Sequence, residues 1–443
     1  MNNKLTVIGA GFAGCEAAWA AAERGVKVEL YEMKPKKFSP AHKYSGFAEL
    51  VCSNSLKASR VNSAAGLLKE EMRRLGSLTV PCAEKTAVPA GGALAVDREK
   101  FSDLVTEKVR SHPNITVINE EIEAVPTEGY AVIASGPLTA GNLAKSISEL
   151  CGGYLSFFDA AAPIVTAESI DMTKAFSAAR YGRGGDDYIN CPFDKEEYLR
   201  FYNELINAES APVHDFDRPE SSKDDFTVYE GCMPVEVLAK RGEDAVRYGA
   251  MKPVGLTDPR SGKRPYAVVQ LRRENESGTM YNLVGFQTNL KFPEQKRVFS
   301  LIPGLENAEF VRYGVMHRNS FINSPKLLNA DFSMRSRPEI FFGGQITGVE
   351  GYMESAASGI IAGINAVRKM NGQSPLILPR ETMIGGLSAY ISDETVTNFQ
   401  PMGANMGILP DIGVRIKDKQ ARYQAVADRA LEAFDNYISE NKD

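Results

Sequence analysis

The stretch Lys4-Leu5-Thr6-Val7-Ile8-Gly9-Ala10-Gly11-Phe12-Ala13-Gly14 decides how the rest of the chain is read. An alanine-rich run follows to Arg24, Gly25 stops it, and a second apolar run from Val26 to Tyr31 ends at Glu32. That order reads strand, glycine turn, helix, strand, acid. Gly9 turns the chain tightly off the strand, Gly11 lets the backbone approach a pyrophosphate, and Gly14 lets the helix pack closely on the sheet. The amino end of the helix offers unpaired amides and a positive dipole end to that pyrophosphate. Glu32 lies eighteen residues after Gly14, where a carboxylate accepts hydrogen bonds from the adenosine ribose. Gly9, Ala10, Gly11, Phe12, Ala13, Gly14 and Glu32 are therefore the first candidate cofactor residues. This stretch alone does not choose between FAD and a nicotinamide dinucleotide.

Working outward, Met33 to Leu50 reads as loop, and Val51 to Lys57 is polar with neither helical nor strand period. Gly66 to Leu75 reads as a helix, and Val88 to Arg98 as a glycine-rich loop entering a second helix over Glu99 to Arg110. Ile115 to Ile118 and Tyr130 to Ala134 read as strands, the latter running into a reversal at Ser135-Gly136-Pro137, where ligands of doubly wound sheets collect. Gly136 joins the candidates. From about Gly152 the text turns polar, aromatic and proline-rich. Val254 to Arg273 reads as a hairpin turning at Asp258-Pro259-Arg260-Ser261-Gly262.

Near Glu339 the first pattern resumes: strand Ile340 to Phe342, glycine loop Gly343 to Gly348, and a small-residue helix from Gly351 to Arg368. A second strand, glycine loop and helix this late is common in flavoproteins and shifts the choice to FAD, adding Gly344, Gln345 and Gly351. From Val414 an amphipathic helix closes the chain. The expected fold is α/β: a doubly wound, Rossmann-like FAD-binding domain split into residues 1–155 and 313–443, with an α+β insertion over 156–312.

At 443 residues and 43% hydrophobic content the chain has room for two or three domains, and its composition does not suggest disorder. No stretch approaches the ~20 apolar residues of a membrane span, and glycines break the one apolar N-terminal run, so a cytoplasmic protein is expected. Six cysteines are scattered without a C-x-x-C pair or a histidine at ligand spacing, so no metal is expected. The net charge of -5 argues against a generic nucleic-acid coat. Charge is nevertheless uneven. Residues 186–230 carry 13 acids against 4 bases and residues 240–320 carry 14 bases against 8 acids, which reads either as solvated surface or as a face for a polyanion.

Gly9 to Gly14, Val51 to Leu56, Val88 to Arg98, Met251 to Leu256, Arg312 to Asn319 and Gly343 to Gly359 together resemble the bacterial folate- and FAD-dependent tRNA (uracil-5-)-methyltransferases, over nearly the whole chain. Gly344 to Tyr352 is also similar to a longer relative that modifies the wobble uridine of tRNA. The resemblance implies methylation of a T-loop uridine, with methylene-tetrahydrofolate as carbon donor, reduced FAD as reductant and NADH or NADPH regenerating it. Rival readings are an NAD(P)H-dependent flavin oxidoreductase of a small molecule and an RNA-binding protein with structural FAD.

Carbon 5 of uracil becomes nucleophilic once a group adds at carbon 6, and a thiolate suits that task. Cys232 and Cys52 sit in functional-looking text; the family pattern places the nucleophile at Cys232 and a second required cysteine, near the flavin, at Cys52. Cys15, Cys82, Cys151 and Cys191 read as packing. Lys240, Arg241, Lys252 and Arg260 are sequence neighbours able to lower the Cys232 pKa. His317 stacks on a pterin, binds phosphate or is a hydrogen-bonded core residue. Arg272, Arg273, Lys296 and Arg297 are candidate contacts to tRNA phosphates. The oligomeric state is not legible.

Overall fold

The computed structural model describes residues 4–182, 184–211 and 233–441; the side chains of 155–159, 317 and 318 also lie outside the described set. A five-stranded parallel sheet forms in the order Ile340–Phe342, Tyr130–Ile133, Lys4–Ile8, Lys27–Tyr31, Ile115–Ile118. Its strands are short apolar runs because both faces are covered: Leu5, Val7, Leu30, Val132 and Phe341 are all fully buried. The chain leaves Lys4–Ile8 toward one side and returns as Tyr130–Ile133 on the other, so the strand order reverses beside Gly9. In such sheets that crevice takes the ligand.

The first helix, Phe12–Glu23, lies against the late helix Tyr352–Met370. Glycine makes their approach possible: a Cβ at Gly359 would stand 2.1 Å from Ala13 O, and one at Gly363 would stand 2.5 Å from Ala17 O. Residues 340–370 thus belong with residues 4–31 although more than three hundred positions separate them.

A second, antiparallel sheet of six strands runs in the order Phe176–Ser177, Tyr188–Phe193, Ala267–Arg273, Met280–Leu283, Ile164–Thr166, Phe310–Arg312. It has its own core, built by Phe193, Tyr198, Phe201, Phe286 and Phe299 against Leu271 and Leu283. The backbone passes between the two units through an antiparallel pair, Leu155–Ala160 with Met316–Phe321.

Three local readings are corrected. Val254 to Arg273 is not a hairpin: only the bridge Asp258 to Lys263 forms, and Ala267–Arg273 pairs instead with Tyr188–Phe193 and Met280–Leu283. Pro253 and Pro259 lack a donor, and Gly255 takes φ +82°, so the entry cannot sustain a ladder. Polar Ser55–Ala58 is a strand, and it joins Ala87–Val88 and Ala93–Val96, the latter inside the supposed glycine loop, in a three-stranded sheet. The closing helix starts at Lys419, where Asp418 caps it by accepting from Ala421 N–H, rather than at Val414.

Candidate functional site: an uncapped pair of helix ends beside Cys52

The glycine turn has the geometry its residues imply. Gly9 takes φ +97°, and a Cβ there would stand 2.6 Å from Ala134 O. A Cβ on Gly14 would stand 1.7 Å from Gly9 O, which forbids any other residue at that position. At Gly11 and Gly136, by contrast, a Cβ would meet nothing within 4 Å. That open space lies at the crevice, over the start of the Phe12–Glu23 helix.

Most long helices here cap their amino ends with a side chain: Ser63, Asp97, Thr382 and Asp418 each accept a backbone N–H. The helices starting at Phe12 and Tyr352 begin at Gly11 and Gly351 with no side-chain cap. Their amides are left for an outside acceptor, the arrangement an anionic dinucleotide needs. Glu32 is buried; Oε2 accepts Ala10 N–H at 2.8 Å and Oε1 accepts Lys34 N–H at 3.0 Å, which ties the acid to the turn. Gly344 takes φ +88° and donates its N–H to Ser358 Oγ, and Gln345 Nε2 donates to both oxygens of Glu350 at 2.9 Å. The residues present fit FAD: open cradle, uncapped amides and a buried acid eighteen residues on.

Cys52 stands at the amino end of the late helix. Its N–H donates to Tyr352 Oη at 2.9 Å and its Sγ lies 3.2 Å from the same oxygen, while the Tyr352 ring stacks on Phe12 at 5.0 Å. Burial pushes the Tyr352 hydroxyl well above its ordinary pKa, and the neighbouring Cys52 adds to the shift. Three arginines face this place: Arg98, Arg272 and Arg312 each sense the charge of Cys52. Arg98 donates to Val51 O and pairs with Glu274; burial works against its charge, but the Glu274 carboxylate outweighs it and holds the guanidinium above its usual value. Burial lowers Arg272 and Arg312, and the like charge of Arg98 acts on both in the same direction. Positive charge around a half-buried thiol favours the thiolate.

Among the described cysteines only Cys52 is not buried. Burial pushes Cys82 up to about 11 and Cys151 up to about 12, and raises Cys15 and Cys191 as well, so these four are inert packing. Cys232 lies outside the described residues. Arg260, one of its sequence neighbours, is committed to Asp258 at 2.8 Å.

The basic pair Arg272-Arg273 requires a correction. Arg272 is 6% exposed, its Nε donates to Asn54 Oδ1 at 2.9 Å and its Nη2 to Ser53 Oγ at 2.7 Å. Buried and spent on the Cys52 loop, it cannot reach a tRNA phosphate. Arg273 is half-buried, its Nε has no hydrogen-bond partner among the described residues, and its carbonyl accepts from Asn54 Nδ2. Arg297 is exposed but bound to Glu294 and Glu204, whose hydrogen bonds hold it above its usual pKa. Lys296 is exposed. His317 sits on the strand Met316–Phe321, its side chain outside the described set. Sequence reasoning missed Tyr352, Arg98 and Arg312 as neighbours of Cys52, and Glu274 as the partner of Arg98. Arg98, Arg312 and Tyr352 lay inside quoted motifs, but no local spacing connects them.

The family model "Glucose inhibited division protein A" matches residues 4–374. The chain is 61% identical over 440 residues to the methylenetetrahydrofolate--tRNA-(uracil-5-)-methyltransferase TrmFO of Acetivibrio thermocellus, covering 99% of each. It is 53% identical over 443 residues to the protein of that name from Lactobacillus gasseri, covering 100% of each. Among solved structures, Aquifex aeolicus GidA in its form I crystal superposes with a TM-score of 0.70 at 16% identity, covering 98% of this chain and 76% of that one, a likeness of fold.

Proposed function

This chain belongs to the glucose-inhibited division protein A family, and from that premise we propose that it is a folate- and FAD-dependent tRNA (uracil-5-)-methyltransferase. The observation that carries the reading is full-length identity of 61% to an enzyme named for that reaction. Methylene-tetrahydrofolate supplies the carbon, and NADH or NADPH supplies the electrons that bound FAD relays. The substrate is a T-loop uridine of tRNA, which places the protein in the cytoplasm.

We assign the roles as follows. Gly9 to Gly14 and Glu32 hold the adenosine and pyrophosphate, while Gly136, Gly344, Gln345 and Gly351 line the flavin end. Residues 1–155 and 313–443 form the FAD domain and 156–312 the insertion that meets tRNA. Cys232 adds to carbon 6 of uracil, which makes carbon 5 the nucleophile toward the one-carbon unit; carbon 5 then loses its proton as the folate nitrogen leaves that carbon, and a hydride equivalent drawn from NADH or NADPH reduces the resulting exocyclic methylene to methyl while the thiolate departs from carbon 6. Cys52, kept reactive by Tyr352 and the surrounding arginines, works on the flavin side. His317, Arg273 and Lys296 remain assigned to substrate.

The test is an assay on unmodified tRNA with methylene-tetrahydrofolate and NADH, followed by 5-fluorouridine tRNA. The wild type forms a covalent RNA adduct on Cys232, and Cys232→Ala forms none while still binding FAD. An adduct mapped to Cys52 reverses the two roles. Turnover without folate points to a small-molecule oxidoreductase, and tRNA binding without turnover to an RNA-binding protein.

A further inference from the structure

Five residues after Cys52, Lys57 takes φ +62°, a left-handed backbone that a lysine adopts rarely and keeps only where its surroundings hold it. The group that meets its side chain is Glu354: Lys57 Nζ lies 2.7 Å from Glu354 Oε1, which also accepts the Ala404 N–H at 2.9 Å. Lys57 is half-exposed, while only 1% of the Glu354 side chain is. An ion pair between two exposed side chains contributes little, but a buried carboxylate that loses its cation is costly. This pair is of the second kind on its acidic side.

Glu354 is the third residue of the Tyr352–Met370 helix, two after the tyrosine whose Oη accepts the Cys52 N–H and lies 3.2 Å from its Sγ. The segment from Cys52 to Lys57 thus meets the first turn of that helix at both of its ends. Gly351 makes the second meeting possible: a Cβ there would stand 2.2 Å from Glu354 Oε2 and 2.9 Å from Lys57 Nζ. Arg98 and Arg272 grip the chain from Val51 to Asn54; Lys57 fastens the end beyond them to the helix that carries Tyr352. Buried Lys69, on the helix Ala64–Arg74, donates to Leu56 O at 2.7 Å and senses the same acid: burial lowers it to about 8, and the Glu354 carboxylate opposes that fall.

We propose that Lys57 and Glu354 are positioning residues for Cys52: their ion pair clasps the Cys52 segment onto the first turn of the late helix and so sets Sγ against the Tyr352 hydroxyl. Neither touches the reacting atoms; both act through Tyr352. The proposal rests on the reading of Cys52 as a working thiol of methyl transfer. With the clasp open, the Cys52 N–H and Sγ no longer meet Oη together, the thiolate loses its donor, and the thiol becomes less acidic. A direct pull of the Lys57 charge on the thiolate has the same sign, so the two causes are told apart by whether the effect survives loss of the hydroxyl.

The test uses the FAD-loaded full chain, with iodoacetamide alkylation of Cys52 followed across pH by peptide mapping and methyl transfer followed by kcat and KM. Lys57→Met, which keeps the length and removes the charge, shifts the alkylation profile to higher pH and lowers kcat about tenfold, the order expected of a misplaced reacting group. The KM for folate and for tRNA stays in place, and Lys57→Arg restores both the profile and kcat. Glu354→Gln reproduces Lys57→Met; if it loses FAD, the Lys57 variants decide. Lys57→Gly, which removes the pair but relieves the left-handed backbone, slows Cys52 to the same extent, so the loss follows the clasp and not stability. In a Tyr352→Phe background Lys57→Met adds nothing to the alkylation profile. A wild-type profile in Lys57→Met and Lys57→Gly, or an undiminished effect of Lys57→Met on top of Tyr352→Phe, overturns the proposal. Wild-type methyl transfer by Cys52→Ala instead overturns the reading on which it rests, and the alkylation profiles still judge the clasp.

Discussion

Replacing Tyr352 by Phe removes one oxygen and keeps the ring on Phe12, so it isolates what the hydroxyl does for Cys52. Oη accepts the Cys52 N–H at 2.9 Å, which leaves its own proton to point at Sγ, 3.2 Å away. Because burial holds the hydroxyl well above its ordinary pKa, it stays a donor across the accessible pH range. A hydrogen bond to a charged group contributes about 1.5–3 kcal/mol, and one pKa unit corresponds to about 1.4 kcal/mol. Loss of the donor therefore raises the thiol pKa by roughly one to two units. Alkylation of Cys52 by iodoacetamide at pH 7, followed by peptide mapping, should slow by about 10- to 100-fold as the thiolate fraction shrinks. Methyl transfer to tRNA should fall with it while FAD stays bound. If the pH profiles of alkylation in wild type and Tyr352→Phe superimpose, the hydroxyl is no thiolate donor and the reasoning fails.

Gly11→Ala should keep the melting temperature of the flavin-free protein and lose FAD, because its Cβ meets no protein atom, whereas Gly14→Ala, 1.7 Å from Gly9 O, should lower flavin-free stability itself; equal melting losses would refute the distinction. Arg272→Ala should destabilise by about 2–4 kcal/mol, because Asn54 and Ser53 lose a buried partner, without changing the salt dependence of tRNA affinity; weakened tRNA binding at unchanged melting would restore the phosphate role. Burial holds the Glu71 carboxyl at about 8 although it accepts the Met383 and Ile384 N–H groups, so the folded state keeps a proton that the unfolded chain releases near 4.5. Its contribution is full below pH 4.5 and lost as pH rises through 8, so stability should decline across that window and decline less in Glu71→Gln. A wild-type slope matching that of Glu71→Gln would count against it.

The nucleotide-binding half was legible because its chemistry is local: Gly9, Gly11, Gly14, Gly25 and Glu32 fall within thirty residues, and steric demands at Gly9 and Gly14 admit no other residue. Ser55–Ala58 was not legible, since Lys57 at φ +62° and a register shift break the alternation that marks a strand. Arg272 and Arg273 look like one basic patch in the sequence, yet successive strand residues point to opposite faces, and burial takes Arg272 inward. The surroundings of Cys52 come from Arg98, Glu274, Arg312 and Tyr352, a constellation that only the folded chain assembles. The paired glycines Gly359 and Gly363 read as small-residue helix, without revealing that Ala13 and Ala17 were what they make room for.

The pairing of Ala131 with Ile340 imposes a schedule on the nascent chain. During synthesis Lys4–Ile8 emerges first, yet its sheet lacks an edge strand, and its first helix lacks a partner, until Met370 has left the ribosome. The antiparallel sheet closes at Arg312 and is available to fold whole before then. Long-range pairing is slow because loop closure precedes its reward, so the face of the opening helix that meets Tyr352–Met370, and the free edge of Tyr130–Ile133, wait for the late part of the chain. Cofactor capture then acts as a final latch, joining the oldest and youngest parts of the nucleotide site. A chain released before Phe342 should carry a competent antiparallel unit and be unable to retain flavin.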